Sequence, residues 1–259
     1  MNGSDARPIP VIRIEPSPRV RSDLFALWSN RATLEHASEA RFRRLSIELA
    51  QTGAHPEVQA LCCRAADDEH RHAALCASMA ERFRMGGLPE IQDRGLLVEP
   101  TGGTSAHTGT PTAPTRERVL IDLVAASCLG ETLNASYLTA SLADARDPAT
   151  RDATHELLCD EVVHARLGWA HLAAEHARGD VAFLGARLPR LLSEAFGHDL
   201  GAIYDPPEPS PEFALLSRAS RVALFADTLA DVVFPGFEEV GIDVTPARAW
   251  LAQGPFATR

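Results

Sequence analysis

The pattern Asp-Glu-x-x-His occurs twice, as Asp68-Glu69-His70-Arg71-His72 and as Asp160-Glu161-Val162-Val163-His164. On a helix, residues three apart share a face, so each copy offers a carboxylate and an imidazole to one point in space. Two copies can hold a pair of metal ions. Helical bundles that do so complete the ligand set with one Glu from each of two further helices. The chain has such a Glu upstream of each motif: Glu35 precedes Glu69 by 34 residues and Glu131 precedes Glu161 by 30. Either gap fits two antiparallel helices and a short turn.

A single Glu-x-x-His would carry no weight. With 19 Glu and 10 His in 259 residues, roughly one match arises by chance, and such motifs gain meaning only from context. Here both copies have Asp directly before the Glu, both lie in helical pattern, and no third match exists. The competing reading is two solvated faces of an Ala/Arg-rich bundle.

The elements that position the motifs follow from capping and breaking residues. A first helix is predicted over about Asp23 to Gln51, ended by Gly53 and His55-Pro56, with Pro56 opening a second helix to about Met85. Thr115 caps a third helix to about Ala143, and Asp147-Pro148 opens a fourth to about Arg178. Pro56 and Pro148 each stand 13 residues before their motif Glu, an internal symmetry between two hairpins. The Gly/Pro/Thr-rich segment 86–114 reads as a long, flexible crossover and 1–22 as an extended arm. Short turn, long crossover, short turn is the connectivity of two joined antiparallel hairpins. The reading is therefore all-α, with a four-helix bundle over 23–178 and a C-terminal helical extension over 179–259. Helical pattern in the extension falls at about 181–196, 212–233 and 246–252.

Composition supports that class and removes others. Hydrophobic residues make up 45% of the chain and aromatics 6%, which favours closely packed helices over a β-rich core. A net charge of −10 argues against nucleic acid as a partner. All 25 basic residues are Arg, so lysine Schiff-base chemistry and a phosphate-loop lysine are absent. Five cysteines without a Cys-x-x-Cys suggest neither a disulfide framework nor a zinc knuckle. No stretch reads as long and apolar enough to span a bilayer and no signal peptide is recognised, giving the expectation of a cytoplasmic protein.

Several assignments stay open at this level. Glu35 lies nearer than Glu39 to the centre of the apolar stripe Leu24, Leu27, Trp28, Leu34, Phe42, Leu45 and Leu49, whereas Glu39 to Glu69 matches the 30-residue spacing of the other pair. Asp68 and Asp160 are candidates to orient the imidazole of the opposite motif, since a metal-bound His usually donates its second N–H to a carboxylate. Arg71 is expected to pair with a carboxylate near the site. Small residues around Glu131, namely Ser127, Cys128, Asn134 and Ala135, allow a cavity beside the metals or close helix packing. Of the remaining histidines only His171 shares a face with His164.

The segment Glu35 to Ser38, the run Arg44 to Gly53, the Asp-Glu-x-Arg-His at 68–72, Cys128 to Leu133 and the second Asp-Glu-x-x-His together resemble the ferritin-like di-iron carboxylate superfamily. The resemblance covers about residues 24–178 and departs from the pattern at Val163, where an Arg is usual. It implies a ferritin-like bundle with metal ligands Glu35, Glu69, His72, Glu131, Glu161 and His164. It also implies two Fe ions, with Mn or mixed Mn/Fe acceptable to the same ligands. Cys76 stands where reductase-type members place a radical tyrosine, which points away from that activity. The leading functional expectation is an O2-dependent di-iron oxidase or oxygenase acting on a small organic substrate, with electrons from a separate donor protein, as a monomer or homodimer. The alternatives are a ferritin-like iron-storage protein, a di-iron tRNA hydroxylase, and a redox-silent bundle serving a partner protein.

Overall fold

The computed structural model describes residues 14–85, 113–199 and 206–254, and every regular element there is helical apart from one isolated β-bridge, Ser210 to Leu215. Helix α1 spans Pro18–Gln51 and α2 spans Pro56–Phe83. Ser17 caps α1 by accepting from the Val20 N–H, with Pro18 in the first turn. The helix thus begins five residues before the predicted start, because Ser-Pro is itself a start signal and outweighs the Arg-rich composition that suggested an arm. Residues 1–13 and all but the last two of the predicted crossover 86–114 lie outside the described residues. Gly53, at φ +69°, turns the chain at the end of α1, and the Ala54 N–H reaches back to the Leu49 carbonyl.

The next rod, Arg116–Asp144, is one continuous helix built in three parts. Helix α3 is Arg116–Leu123, a π-helical stretch follows over Val124–Glu131, and α4 is Thr132–Asp144. Thr115 caps it as expected. The π stretch is not foreseen from the sequence. It is enclosed by neighbours, with Ala126, Ser127, Cys128 and Leu129 all buried. The rod is also apolar and long enough to cross a membrane by length and composition, contrary to the expectation from sequence, although most of it is buried against other helices. Its only charges between 119 and 143 are Asp122 and Glu131.

Helix α5 spans Pro148–Arg178. The packing order α1 on α2, α2 on α5, and α5 on the π stretch and α4, with α3 returning to α1, closes the four long rods around a common interior. Gly168 permits the closest approach: a Cβ there would stand 2.6 Å from Ser127 Cβ and 2.8 Å from Cys128 N. The small residues near Glu131 therefore serve close packing at this point, and no cavity lies between α5 and Ser127 or Cys128.

Beyond α5 come a 3₁₀ turn over Ala182–Arg187, α6 (Leu188–Asp199), a second 3₁₀ turn over Pro211–Phe213, and α7 (Arg218–Thr228). A π turn, Leu229–Val233, leads into α8 (Phe234–Glu238), and α9 (Thr245–Ala252) completes the described helices. The helix predicted from Glu212 starts instead after Ser217, because residues 210–215 form a tight bridge with Ala214 in the left-handed region. It also continues past Val233 through Pro235. The π turn just before that proline accommodates a residue that cannot donate a backbone hydrogen bond. These elements share one apolar cluster with the long rods, in which Phe213 meets Phe83 edge-on and Phe237 lies 5.1 Å from Trp169.

Asp147 joins the two hairpins. It caps α5 by accepting from the Thr150 N–H and hydroxyl, and it accepts both Arg82 Nη1 (2.5 Å) and Nη2 (2.8 Å) from the end of α2. Burial alone would raise its pKa, but Arg82 and Thr150 outweigh burial and hold it below the ordinary aspartate value. Its contribution is therefore complete above the unfolded pKa of ~3.9 and is lost as pH falls toward the depressed folded value. We expect Asp147→Ala to cost about 2–4 kcal/mol in chemical denaturation at neutral pH, since a cap and a two-pronged ion pair are lost together. Part of the acid-induced loss of stability seen in the parent should be missing from the variant.

Candidate metal centre

The six residues Glu35, Glu69, His72, Glu131, Glu161 and His164 all point into the interior, and Glu69, His72 and Glu161 are fully buried. They come from four rods: Glu35 from α1, Glu69 and His72 from α2, Glu131 from the last position of the π stretch, and Glu161 and His164 from α5. Each imidazole faces the same two carboxylates. His72 Nδ1 lies 3.5 Å from Glu69 and 3.6 Å from Glu161, and His164 Nδ1 lies 3.2 Å from each. The ligand atoms of Glu35, Glu69, His72 and Glu161 all fall within 4.8 Å of one another. Glu131 adjoins Glu161.

The second nitrogen of each ring is fixed by the opposite motif. His72 Nε2–H donates to Asp160 at 3.2 Å and His164 Nε2–H donates to Asp68 at 3.3 Å. The Asp of one motif thus aims the His of the other, leaving both Nδ1 atoms toward the carboxylates. Arg71 ties the two aspartates together, at 2.5 Å from Asp68 and 3.1 Å from Asp160.

Glu39 takes no part in the cluster. It faces outward, accepting from Arg43 at 2.9 Å and pairing with the exposed His70 at 3.2 Å. The face of α1, not the 30-residue spacing, decides between the two glutamates. Leu34, counted in the apolar stripe, is partly exposed. His171 is buried away from the cluster, where Glu175, Arg116 and Arg178 are its charged neighbours.

The charges within the cluster shift one another strongly. Burial, followed by the charges of Glu161 and Glu69, pushes both Glu35 and Glu131 well above the ordinary carboxylate range. For Glu69 burial acts upward, yet His164, His72 and Glu35 bring it down to about 2. For His164 burial acts downward, and Glu161 and Glu69 overcome it, raising the ring to about 10. Protons occupy the positions that cations could take. Even so, both Glu69 oxygens, Glu161 Oε1 and His72 Nδ1 are buried without a hydrogen-bond partner. Such atoms are costly unless a ligand satisfies them. Carboxylate and imidazole donors in this arrangement could hold a metal ion.

No protein-family model, no curated protein and no solved structure matches the chain. The functional reading therefore rests on geometry and chemistry.

Two outcomes follow. Asp68→Asn and Asp160→Asn should each weaken Mn(II) or Fe(II) binding by about 10–100-fold while circular dichroism stays unchanged, since they aim ligands without being ligands. Metal loading should release protons, because His164 and the raised glutamates must lose theirs. Affinity should accordingly fall as pH drops from 8 to 6, by up to about tenfold per released proton per unit, as read by calorimetry in buffers of different ionisation enthalpy.

Proposed function

We propose that the chain is a ferritin-like di-metal carboxylate protein, and that it acts as an O2-dependent oxidase or oxygenase on a small organic molecule. The observation that carries this reading is the convergence of four carboxylates and two Asp-oriented imidazoles from four helices, with buried ligand atoms left unsatisfied. Glu69 and Glu161, which face both imidazoles, would hold the ions together with His72, His164, Glu35 and Glu131. Two divalent cations balance four carboxylates, so the loaded centre would be neutral. A bound di-iron pair would supply two electrons to dioxygen, to be restored by a separate electron donor. The chain's part would be to hold the pair in an enclosed interior: Phe42 packs against the His164 ring with centroids 5.9 Å apart, and Cys76 is buried. Burial raises the Cys76 thiol to about 12, so it stays protonated beside the carboxylates.

Iron storage is the second reading, since the same donor set binds iron for either purpose. An assembled cage must accommodate the extension that packs on α4 through α7. Light scattering of the native protein separates the two: a monomer or dimer excludes a cage.

The decisive experiment is metal analysis followed by anaerobic Fe(II) loading and exposure to O2. We expect two metals per chain and an oxidised di-iron absorption; fewer than two metals, or no such absorption, defeats the reading. Glu35→Ala should load clearly less than the parent and Glu39→Ala should load normally. The reverse pattern would move the ligand role to Glu39.

A further inference from the structure

One turn before Glu35 on the same face of α1 lies Arg31, buried to within 9% of full enclosure. Its guanidinium is held between two rings, 5.8 Å from the centre of Trp28 and 5.1 Å from that of Tyr137. Among the described residues no carboxylate lies within ion-pair distance of it, and its one directed partner is Asn134 Oδ1, at 3.5 Å from Nη2. Nη1 has no hydrogen-bond partner. A buried guanidinium flanked by ring faces keeps its charge but leaves its in-plane donors unused.

Arg31 lines a narrow cleft between α1, α4, α5 and the 210–215 bridge, together with Trp28, Tyr137, Ser141, Thr154 and Ala214. Two further lining groups are orphaned in the same way. Trp28, 2% exposed, has no acceptor for Nε1–H, and Ser141, 1% exposed, has no partner for Oγ. Three unsatisfied polar groups on one cleft, one of them cationic, are complementary to a single planar anion. The remaining lining of Leu27 and Leu138 is apolar.

We propose that this cleft binds the carboxylate of a small organic acid, received by Arg31 Nη1 and Trp28 Nε1–H with Ser141 beside them. The proposal rests on the di-metal reading in that it names the substrate class of that centre. Arg31 and Glu35 stand four residues apart on one face of α1, a rise of ~6 Å along the helix, which sets the cleft about one turn from the candidate metal ligands. Cys76 is within electrostatic reach of Arg31, Glu35, Glu161 and Glu69. Arg31 is thus a buried cation without an ion-pair partner among the described residues, and its natural partner is an anion in the cleft. The contained space, ≈ 10 Å³, matches about one water, so the bridge carrying Ala214 must yield for an acid larger than formate.

The test is calorimetric titration of metal-free and Mn(II)-loaded protein with acetate and with benzoate, using acetamide and benzamide as neutral controls. We expect at least one carboxylate to bind. Its amide should bind at least ~10-fold more weakly, and Arg31→Gln should lose a similar factor. Trp28→Phe keeps the ring and removes the donor, so a several-fold loss there carries the test if Arg31→Gln fails to fold. Absence of carboxylate binding with only an ordered water in the cleft overturns the proposal. So do equal binding of acid and amide, and carboxylate affinity unchanged in both variants, which would mean that the acid binds the metals directly. Metal content measured on the same samples separates the two hypotheses. A chain that loads two metals but no acid defeats the cleft alone, and a chain that loads no metal defeats the di-metal reading while the metal-free titration still decides the cleft.

Discussion

Six ionisable side chains are buried in one layer across the interior, and much of the remaining structure answers the cost of that burial. Apolar packing lies on both sides of the layer. One cluster, built from Phe42, Leu45, Leu49, Val58, Leu123 and Leu167, closes one end, and a larger one containing Leu24, Trp28, Phe83, Leu133 and Leu157 fills the other. Unpaired carboxylates in such surroundings would be strongly destabilising. In the metal-free chain burial and the neighbouring carboxylates push Glu35 and Glu131 well above the ordinary carboxylate range, and Glu161 and Glu69 raise the His164 ring to about 10. That arrangement leaves several lone pairs unmet. A layer of this kind is a poor way to stabilise a helical core and a good way to hold cations.

The backbone is adjusted to the same end. The π stretch ends on Glu131, and Gly168 lets α5 approach it to a distance that no other residue permits. Arg41, half-buried beside this rod, donates to the Asp122 carbonyl close to the junction where α winding gives way to π winding. Wider winding lowers local helix stability, and π turns inside α-helices are frequent at functional sites.

Much of this was legible in the residues. Ser/Thr/Asp caps, Pro at helix starts and Gly53 marked α2 and α5 to within a residue or two, because these signals act locally. The face of α1 pointed to Glu35 over Glu39 through the spacing of Leu24, Trp28, Phe42 and Leu45. The crossed Asp–His pairing was accessible because the same chemistry recurs at both motifs. What was hidden depends on neighbours distant in sequence. The π winding of 124–131 reflects enclosure by α5, Ala214 is left-handed because the bridge under Tyr137 requires it, and Arg31 reads as one polar residue among many until Trp28 and Tyr137 close over it.

The crossed aspartates carry a consequence for assembly. Asp68 and His164 are 96 residues apart, as His72 and Asp160 are 88, so neither motif has its ring correctly aimed until both hairpins have docked. The first hairpin emerging from synthesis holds a carboxylate and an imidazole in sequence register but lacks the brace that orients them. Closing so long a loop is a late event in folding. Any metal that the centre takes up would thereby meet correctly aimed rings only after both hairpins have docked, and the two aspartates would tie occupancy to correct assembly.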